Sequence, residues 1–315
     1  MSKRTIAIVG ATGAQGGGLA RAILEDHASP FVVRAIVRDP ESAKARALAD
    51  AGAELVQGDL EDPASIARAF EGAYGAFCVT FFWAHFSPER EDAEAKMMAQ
   101  AAAEAGLKHV VWSTLEDTRR FVPLDDPSMP TLGGKYKVPH FDAKGAADAY
   151  FAEMGVPTTY LLTSFYWDNL IHFGMGPQRG PDGSLMIAFP MDDKPLPGIA
   201  AEDIGRCANG VFQDSSLIGQ RVGIAGEHLS GAQMAAQLGT ALGLPVGFYP
   251  ITPEAFRALG FPGADDLGNM FQFKRDFNEV FCQARPIERS RALNPRLQSF
   301  ADWLEANASR IPLPE

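Results

Sequence analysis

The run Ile6-Ala7-Ile8-Val9-Gly10-Ala11-Thr12-Gly13-Ala14-Gln15-Gly16-Gly17-Gly18 constrains this chain more than any other stretch. Four apolar residues lead straight into a glycine-rich turn. Leu19-Ala20-Arg21-Ala22-Ile23-Leu24 follows, with apolar residues at helical spacing. The order is buried strand, tight turn, helix. Gly10, Gly13 and Gly16 are spaced G-x-x-G-x-x-G. Glycine permits a positive φ and lets the backbone approach a ligand closely. A helix starting behind the turn directs its free N–H groups and positive dipole end back at it, which suits a pyrophosphate. This order at the start of a βαβ pattern points to a dinucleotide seat formed by Gly10, Thr12, Gly13, Ala14, Gln15 and Gly16.

The first half of the chain keeps that alternation. Phe31–Val37 reads as a strand ending in Arg38-Asp39-Pro40, and a charged helix runs on to about Ala51. Ala53–Gln57 is the next strand, followed by Gly58-Asp59-Leu60. Ala73–Thr80 is a fourth strand running into Phe81-Phe82-Trp83, and Ser87–Ala105 a long helix. His109–Thr114 is a fifth strand. A loop with three prolines and two glycines spans Glu116 to Val138, a length that suggests a lid or substrate loop. A helix from His140 to about Met154 and a strand at Thr158–Leu162 complete the series. The prediction is an α/β fold, a Rossmann-type doubly wound parallel sheet.

Beyond residue 163 the rhythm breaks. Short strands are predicted near Ser184–Phe189 and Arg221–Ile224, and helices near Ala201–Phe212, Ser230–Leu242, Ala264–Phe277 and Leu297–Asn307. The chain thus divides into residues 1–163, a cofactor-binding domain with contributions from later segments, and 164–315, a smaller α+β part facing substrate or partner.

Ligands of open parallel sheets bind at the carboxyl ends of the strands. Arg38 stands where an acidic residue would take the ribose hydroxyls of NAD. Its charged fork suits a 2′-phosphate instead, so the expected cofactor is NADP(H). Asp39 beside it opposes a phosphate if it faces inward. Ser42 can add a donor, and Lys44 follows closely. Asp59 has two readings, the adenine edge or the cap of the helix opening near Asp62-Pro63. Thr80 and Phe82, past the fourth strand, and Phe165, in the aromatic run after Thr163, are further candidates for walls of the site.

Composition narrows the function classes. The chain has 315 residues with a formal net charge of −11 and no basic stripe, which argues against direct nucleic-acid binding. Three widely spaced cysteines form no disulfide framework, and six histidines show no metal-ligand spacing, so no metal is expected. No signal-peptide pattern opens the sequence and no apolar run approaches membrane-spanning length, so the cytoplasm is the expected compartment.

Several stretches together resemble the short-chain dehydrogenase/reductase superfamily, and within it the atypical NmrA-like family. They are Val9–Gly17, Val37-Arg38-Asp39-Pro40, Gln57-Gly58-Asp59, Val110-Val111-Trp112-Ser113, His140-Phe141-Asp142-Ala143-Lys144-Gly145, Leu259–Ala264, Asp266–Phe271 and Leu293-Asn294-Pro295. The resemblance covers nearly the whole chain and implies a Rossmann domain, a smaller C-terminal domain and a cleft between them. Catalytic members of the superfamily carry a serine and then Tyr-x-x-x-Lys. Ser113 matches the serine and Lys144 the lysine, while His140 occupies the tyrosine position.

Three readings follow. Lys144 binds the cofactor ribose and His140 only lines the cleft; His140 replaces the tyrosine as general acid; or Lys144 works with a water. The similar family members include NADPH-sensing proteins, so the resemblance implies an NADP(H)-occupied redox sensor acting on a protein partner. The alternative is an NADP(H)-dependent reductase of a small apolar quinone, enone or other carbonyl substrate. A homodimer is left open.

Overall fold

The protein is described by a computed structural model over residues 3–180 and 182–314. Its first half alternates strictly: β1 (Arg4–Ile8), α1 (Ala14–Glu25), β2 (Phe31–Val37), α2 (Ala43–Asp50), β3 (Glu54–Gln57), α3 (Pro63–Phe70), β4 (Gly75–Cys78), α4 (Pro88–Glu104), β5 (His109–Thr114), α5 (Pro139–Glu153) and β6 (Thr158–Leu162). Shorter elements follow: β7 (Phe165–Tyr166), α6 (Asn169–His172), β8 (Gln178–Arg179), β9 (Leu185–Ala188), β10 (Leu196–Ile199), α7 (Ala201–Gln213), β11 (Arg221–Gly223), β12 (Glu227–Leu229), α8 (Gly231–Leu242), β13 (Val246–Tyr249), α9 (Pro253–Arg257), α10 (Ala264–Asp276), α11 (Asn278–Gln283), α12 (Ile287–Leu293) and α13 (Phe300–Asn307).

The main sheet has seven strands in the order β3-β2-β1-β4-β5-β6-β11, every pair parallel. Both faces of such a sheet are covered, so its strands read as apolar runs. Ile6, Ala7 and Ile8 are accordingly fully buried. One apolar layer joins the sheet to α1, α2 and α7, the other to α3, α4 and α5. The strand order reverses between β1 and β4, the switch point where such sheets open a crevice. This is a Rossmann-type doubly wound fold.

Start signals sit where the chain turns into each helix. Ser42, Asp62 and Ser87 cap α2, α3 and α4 through their side chains, with Pro63 and Pro88 in the first turns. α1 and α7 pack backbone against backbone. A Cβ at Gly205 would collide with Gly18 and Leu19, and one at Gly18 would sit 2.7 Å from the Glu202 carbonyl.

Segments after residue 163 divide between two layers. β11 pairs with β6 as the seventh strand of the main sheet, and α7 lies on α1. The remainder builds two three-stranded sheets, β12-β10-β7 and β13-β9-β8, around a separate aromatic core containing Trp167, Phe189, Phe271, Phe273, Phe300 and Trp303.

The loop expected as a lid is built into that core. Val122, Met129 and Val138 are buried in it, and Lys137, fully buried, donates from Nζ to the carbonyls of Asp126 and Met129 at 2.7 Å each. Asn269 and Gln272 of α10 tie down Pro130, Lys137 and Ser128 through their carbonyls. Among the described residues, no helix is long and apolar enough to cross a membrane.

Candidate active site

The glycine turn closes as its spacing implies. Gly10 has φ +65°, and the Gly13 N–H donates to the Gly10 carbonyl at 2.8 Å. A Cβ at Gly16 would collide with the Gly10 carbonyl, so the first turn of α1 approaches the loop only without a side chain there. Gly13 stands at the N-cap without a side-chain cap. Among the described residues, the N–H groups of Ala14, Gln15 and Gly16 have no protein acceptor. Three unpaired donors and the positive end of α1 converge where β1 ends, an arrangement that suits a phosphate. Beside the turn opens a groove of about 1020 Å³, lined by Thr12, Gly13, Lys44, Trp303 and Arg310 among others.

Arg38 is exposed at the end of β2; its carbonyl accepts from Gln57 Nε2 at 3.2 Å, while its guanidinium has no hydrogen-bond or ion-pair partner among the described residues. Asp39 is turned to its own backbone, accepting from the Glu41 N–H at 2.9 Å. Ser42 donates to the Asp39 carbonyl at 2.8 Å and caps α2, so its hydroxyl already has work. Asp59 is half-buried and accepts from the Glu61 N–H at 3.0 Å. The cap of α3 is Asp62, which removes that alternative reading of Asp59.

Two polar networks lie at the ends of β4 and β5, the first of them joined to α5. Lys144 Nζ donates to Thr80 Oγ1 at 2.5 Å and lies 2.6 Å from Glu91 Oε1; Thr80 Oγ1 in turn donates to Glu91 at 2.6 Å. Ser113 donates to Gln15 Oε1 at 2.8 Å, and Gln15 Nε2 donates to the Tyr166 hydroxyl at 2.7 Å. Burial pushes the Tyr166 hydroxyl up to about 12, so it stays protonated. The sequence does not mark Glu91 or Tyr166 as polar partners: Glu91 lies in an ordinary charged helix, and Tyr166 in an aromatic run.

His140 sits at the start of α5, one turn before Lys144, and is buried. Its Nδ1 is 2.6 Å from Asp266 Oδ1, and its backbone N–H donates to Asp266 Oδ2 at 3.2 Å. With Nδ1 donating to the carboxylate, Nε2 is the nitrogen left for chemistry; it has no protein partner, yet is not sealed from solvent. The ring packs 4.9 Å from Trp83 and 5.8 Å from Phe82. Asp266 comes from α10, 126 residues away in sequence, and nothing in the local pattern marks it as the partner of His140.

Of the predicted aromatic walls, Phe82 is buried in a 3-10 turn, Trp83 is half-exposed and Phe81 is 58% exposed. Phe165 is buried against Phe189 and Phe271, and the geometry gives it a packing role.

The description "NmrA-like family" matches residues 2–304. The chain belongs to the NmrA-like family. Among its relatives is the NmrA-like family domain-containing oxidoreductase FrzB of Cladobotryum sp, 29% identical and covering 91% of this chain and 88% of that protein. An NAD(P)H azoreductase of Xenophilus azovorans is 27% identical over 96% of this chain and 98% of its own length. Among solved structures, NmrA, described as a negative transcriptional regulator in complex with NAD, is 25% identical with a TM-score of 0.79, over 98% of this chain and 96% of that one. The NmrA-like family therefore includes proteins described as oxidoreductases and one described as a regulator. In this NmrA-like chain, the glycine turn, the Lys144 network and the His140–Asp266 pair all stand at the carboxyl ends of the parallel strands.

Proposed function

We propose that this chain binds NADP(H) on the Gly10–Gly16 turn and uses it to reduce a small apolar acceptor, with His140 supplying the proton. The observation that carries this is the 2.6 Å pairing of His140 Nδ1 with Asp266. A carboxylate on Nδ1 fixes the ring and its tautomer and stabilises it while it holds a second proton. The seat fits a dinucleotide: a cradle that a Cβ at Gly16 would fill, three unpaired N–H groups, and an unpaired Arg38 suited to a 2′-phosphate.

When bound, the cofactor supplies hydride transfer. In that reaction His140 Nε2–H would give its proton to the acceptor oxygen and then recover one from solvent. Phe82 and Trp83 bound the ring on the side of the β4 edge and restrict water there. The acceptor class follows from those rings: a quinone, an enone or a similar carbonyl compound.

A second reading, a redox sensor, rests on a different observation. Gln15 in the turn bonds both Ser113 and Tyr166, so occupancy of the seat acts directly on the first strand of the C-terminal half. NADPH and NADH titrations followed by a quinone and enone panel test both. Tight NADPH binding with turnover that is lost in His140→Asn supports the reductase. Binding without turnover across the panel gives the sensor. No binding of either dinucleotide overturns both.

A further inference from the structure

Lys144 is held in place by a residue that takes no part in the proposed chemistry. Its side chain is only 11% exposed, and a cation so enclosed requires a counter-charge. Glu91 of α4, 0% exposed, provides it at 2.6 Å. Lys144, Glu91 and Thr80 close a triangle that joins α5, α4 and the end of β4. An ammonium has three donors. Glu91 Oε1 and Thr80 Oγ1 take two at short range, and the third makes a longer 3.2 Å contact to the Thr80 carbonyl. Trp112 of β5 lies under the ammonium at 5.4 Å. The other charged groups of α5 near Lys144 are already paired, His140 with Asp266 and Asp148 with Arg221.

Behind the triangle, Glu91 Oε2 is buried without a hydrogen bond and faces His85 Nε2 at 3.7 Å. Glu94 Oε2 lies 3.9 Å from the same nitrogen, while its other oxygen is paired with Arg90 at 3.0 Å. These three side chains offer ligand atoms within 4.8 Å of one another. The donor set nevertheless fits a proton better than a divalent cation. His85 Nδ1 accepts the Ser87 N–H, so the neutral ring carries its hydrogen on Nε2, where a metal would need a lone pair. The ammonium of Lys144 already occupies the Glu91 carboxylate.

We propose that Glu91 is the positioning residue for Lys144, anchoring one donor of the ammonium directly and a second through Thr80, so that the third can exchange its contact with the Thr80 carbonyl for a hydroxyl of the bound dinucleotide. His85 Nε2–H faces the far oxygen of Glu91 and keeps that carboxylate turned towards the corner. The inference rests on the proposed dinucleotide binding and on the reading, implied by the family resemblance, that Lys144 meets the cofactor ribose.

The test is pulse acetylation of the full chain with acetic anhydride, read lysine by lysine by mass spectrometry. Lys44, exposed and without a partner among the described residues, is the fast reference, and Lys137 and Lys274 are the buried ones. In Glu91→Gln, labelling of Lys144 rises about fivefold or more while Lys137 and Lys274 stay slow; Glu91→Asp lies between wild type and Glu91→Gln. NADPH affinity of Glu91→Gln falls about three- to tenfold. Unchanged Lys144 labelling overturns the proposal. So does a joint rise of all three buried lysines, which would mean general loosening, or stoichiometric Zn²⁺ binding that depends on His85. Failure of the wild type to bind NADPH would overturn the proposed function, while the labelling would still decide the role of Glu91.

Discussion

Two short stretches close onto the same site by opposite means. The Gly10–Gly16 turn acts within its own βα unit: one positive φ, one close approach and three free N–H groups, all within seven residues. The Gly263–Lys274 stretch acts across the chain. Asp266 holds His140, Asn269 holds Pro130 and Lys137, Gln272 holds Ser128, and a Cβ at Gly263 would press on Trp83 at 2.9 Å. In the proposed function the first stretch would hold the ligand, and the second the side chains and the loop that face it. Damage to the turn should therefore abolish binding, and damage to α10 should spare binding and abolish use.

The largest effect belongs to the turn. Gly16→Val places a side chain against the Gly10 carbonyl, and neither backbone can yield without opening the seat. NADPH affinity is expected to fall roughly a thousandfold or more, measured by calorimetry. Retained affinity would mean that the dinucleotide is held somewhere else.

Asp266→Asn is the matching test of α10. The amide keeps the shape but can present an N–H to Nδ1 and so favour the wrong tautomer of His140. Turnover is expected to fall about a hundredfold, with NADPH affinity unchanged within about threefold. A loss of affinity as large as the loss of turnover would show that the two stretches are not separable.

The same contrast explains what the sequence made legible. The sheet, its order of elements and the glycine seat follow from local patterns: apolar runs, turn glycines and caps such as Ser87-Pro88. Lys144 and His140 could be named because His140-Phe141-Asp142-Ala143-Lys144 lines up with the Tyr-x-x-x-Lys pattern that the family resemblance brings, and residues four apart on a helix share a face. Their partners could not be named. Glu91 reads as one charge among many in Pro88–Glu104, and its burial comes from packing of α4 against α5. Asp266 reads as a first-turn acid of α10, which it also is. Arg221–Gly223 looked like part of the later region, because three residues do not reveal that they extend a sheet begun 200 residues earlier. The loop from Glu116 to Val138 looked free because the groups that pin it, Asn269 and Gln272, lie more than 130 residues away.

α10 also carries a lysine in the opposite situation to Lys144. Lys274 is buried among Phe141, Phe271 and Phe281, with Met270 Sδ at 3.4 Å as its polar contact. Burial, with the nearby Arg285 guanidinium adding to it, pushes its pKa down to about 7. The unfolded chain holds that proton up to about pH 10.4. Between the two values the unfolded state binds more protons, so this group makes stability rise with pH from about 7 to about 10. Lys274→Met should stabilise the fold by on the order of 2 kcal/mol at pH 7, with the gain shrinking to nothing by about pH 10, in urea melts at several pH values. Destabilisation at pH 7 would mean that the three rings bind the ammonium more strongly than burial opposes it.

The smallest effect separates the two cofactors at the rim of the turn. The Arg38 guanidinium is exposed and has no partner among the described residues, and Asp39, which would oppose a phosphate, is turned to the Glu41 N–H. Ser42 spends its hydroxyl on capping α2, so the guanidinium is left as the main donor to a 2′-phosphate. A charged contact this exposed is screened by solvent and salt, which bounds its strength. Arg38→Ala should weaken NADPH binding about tenfold at low salt, less at high salt, and leave NADH within about twofold. Equal losses for both dinucleotides would place Arg38 on the adenosine instead of on a phosphate. The turn would then seat a pyrophosphate without choosing between the two cofactors, and any preference would have to come from Lys44 in the neighbouring groove.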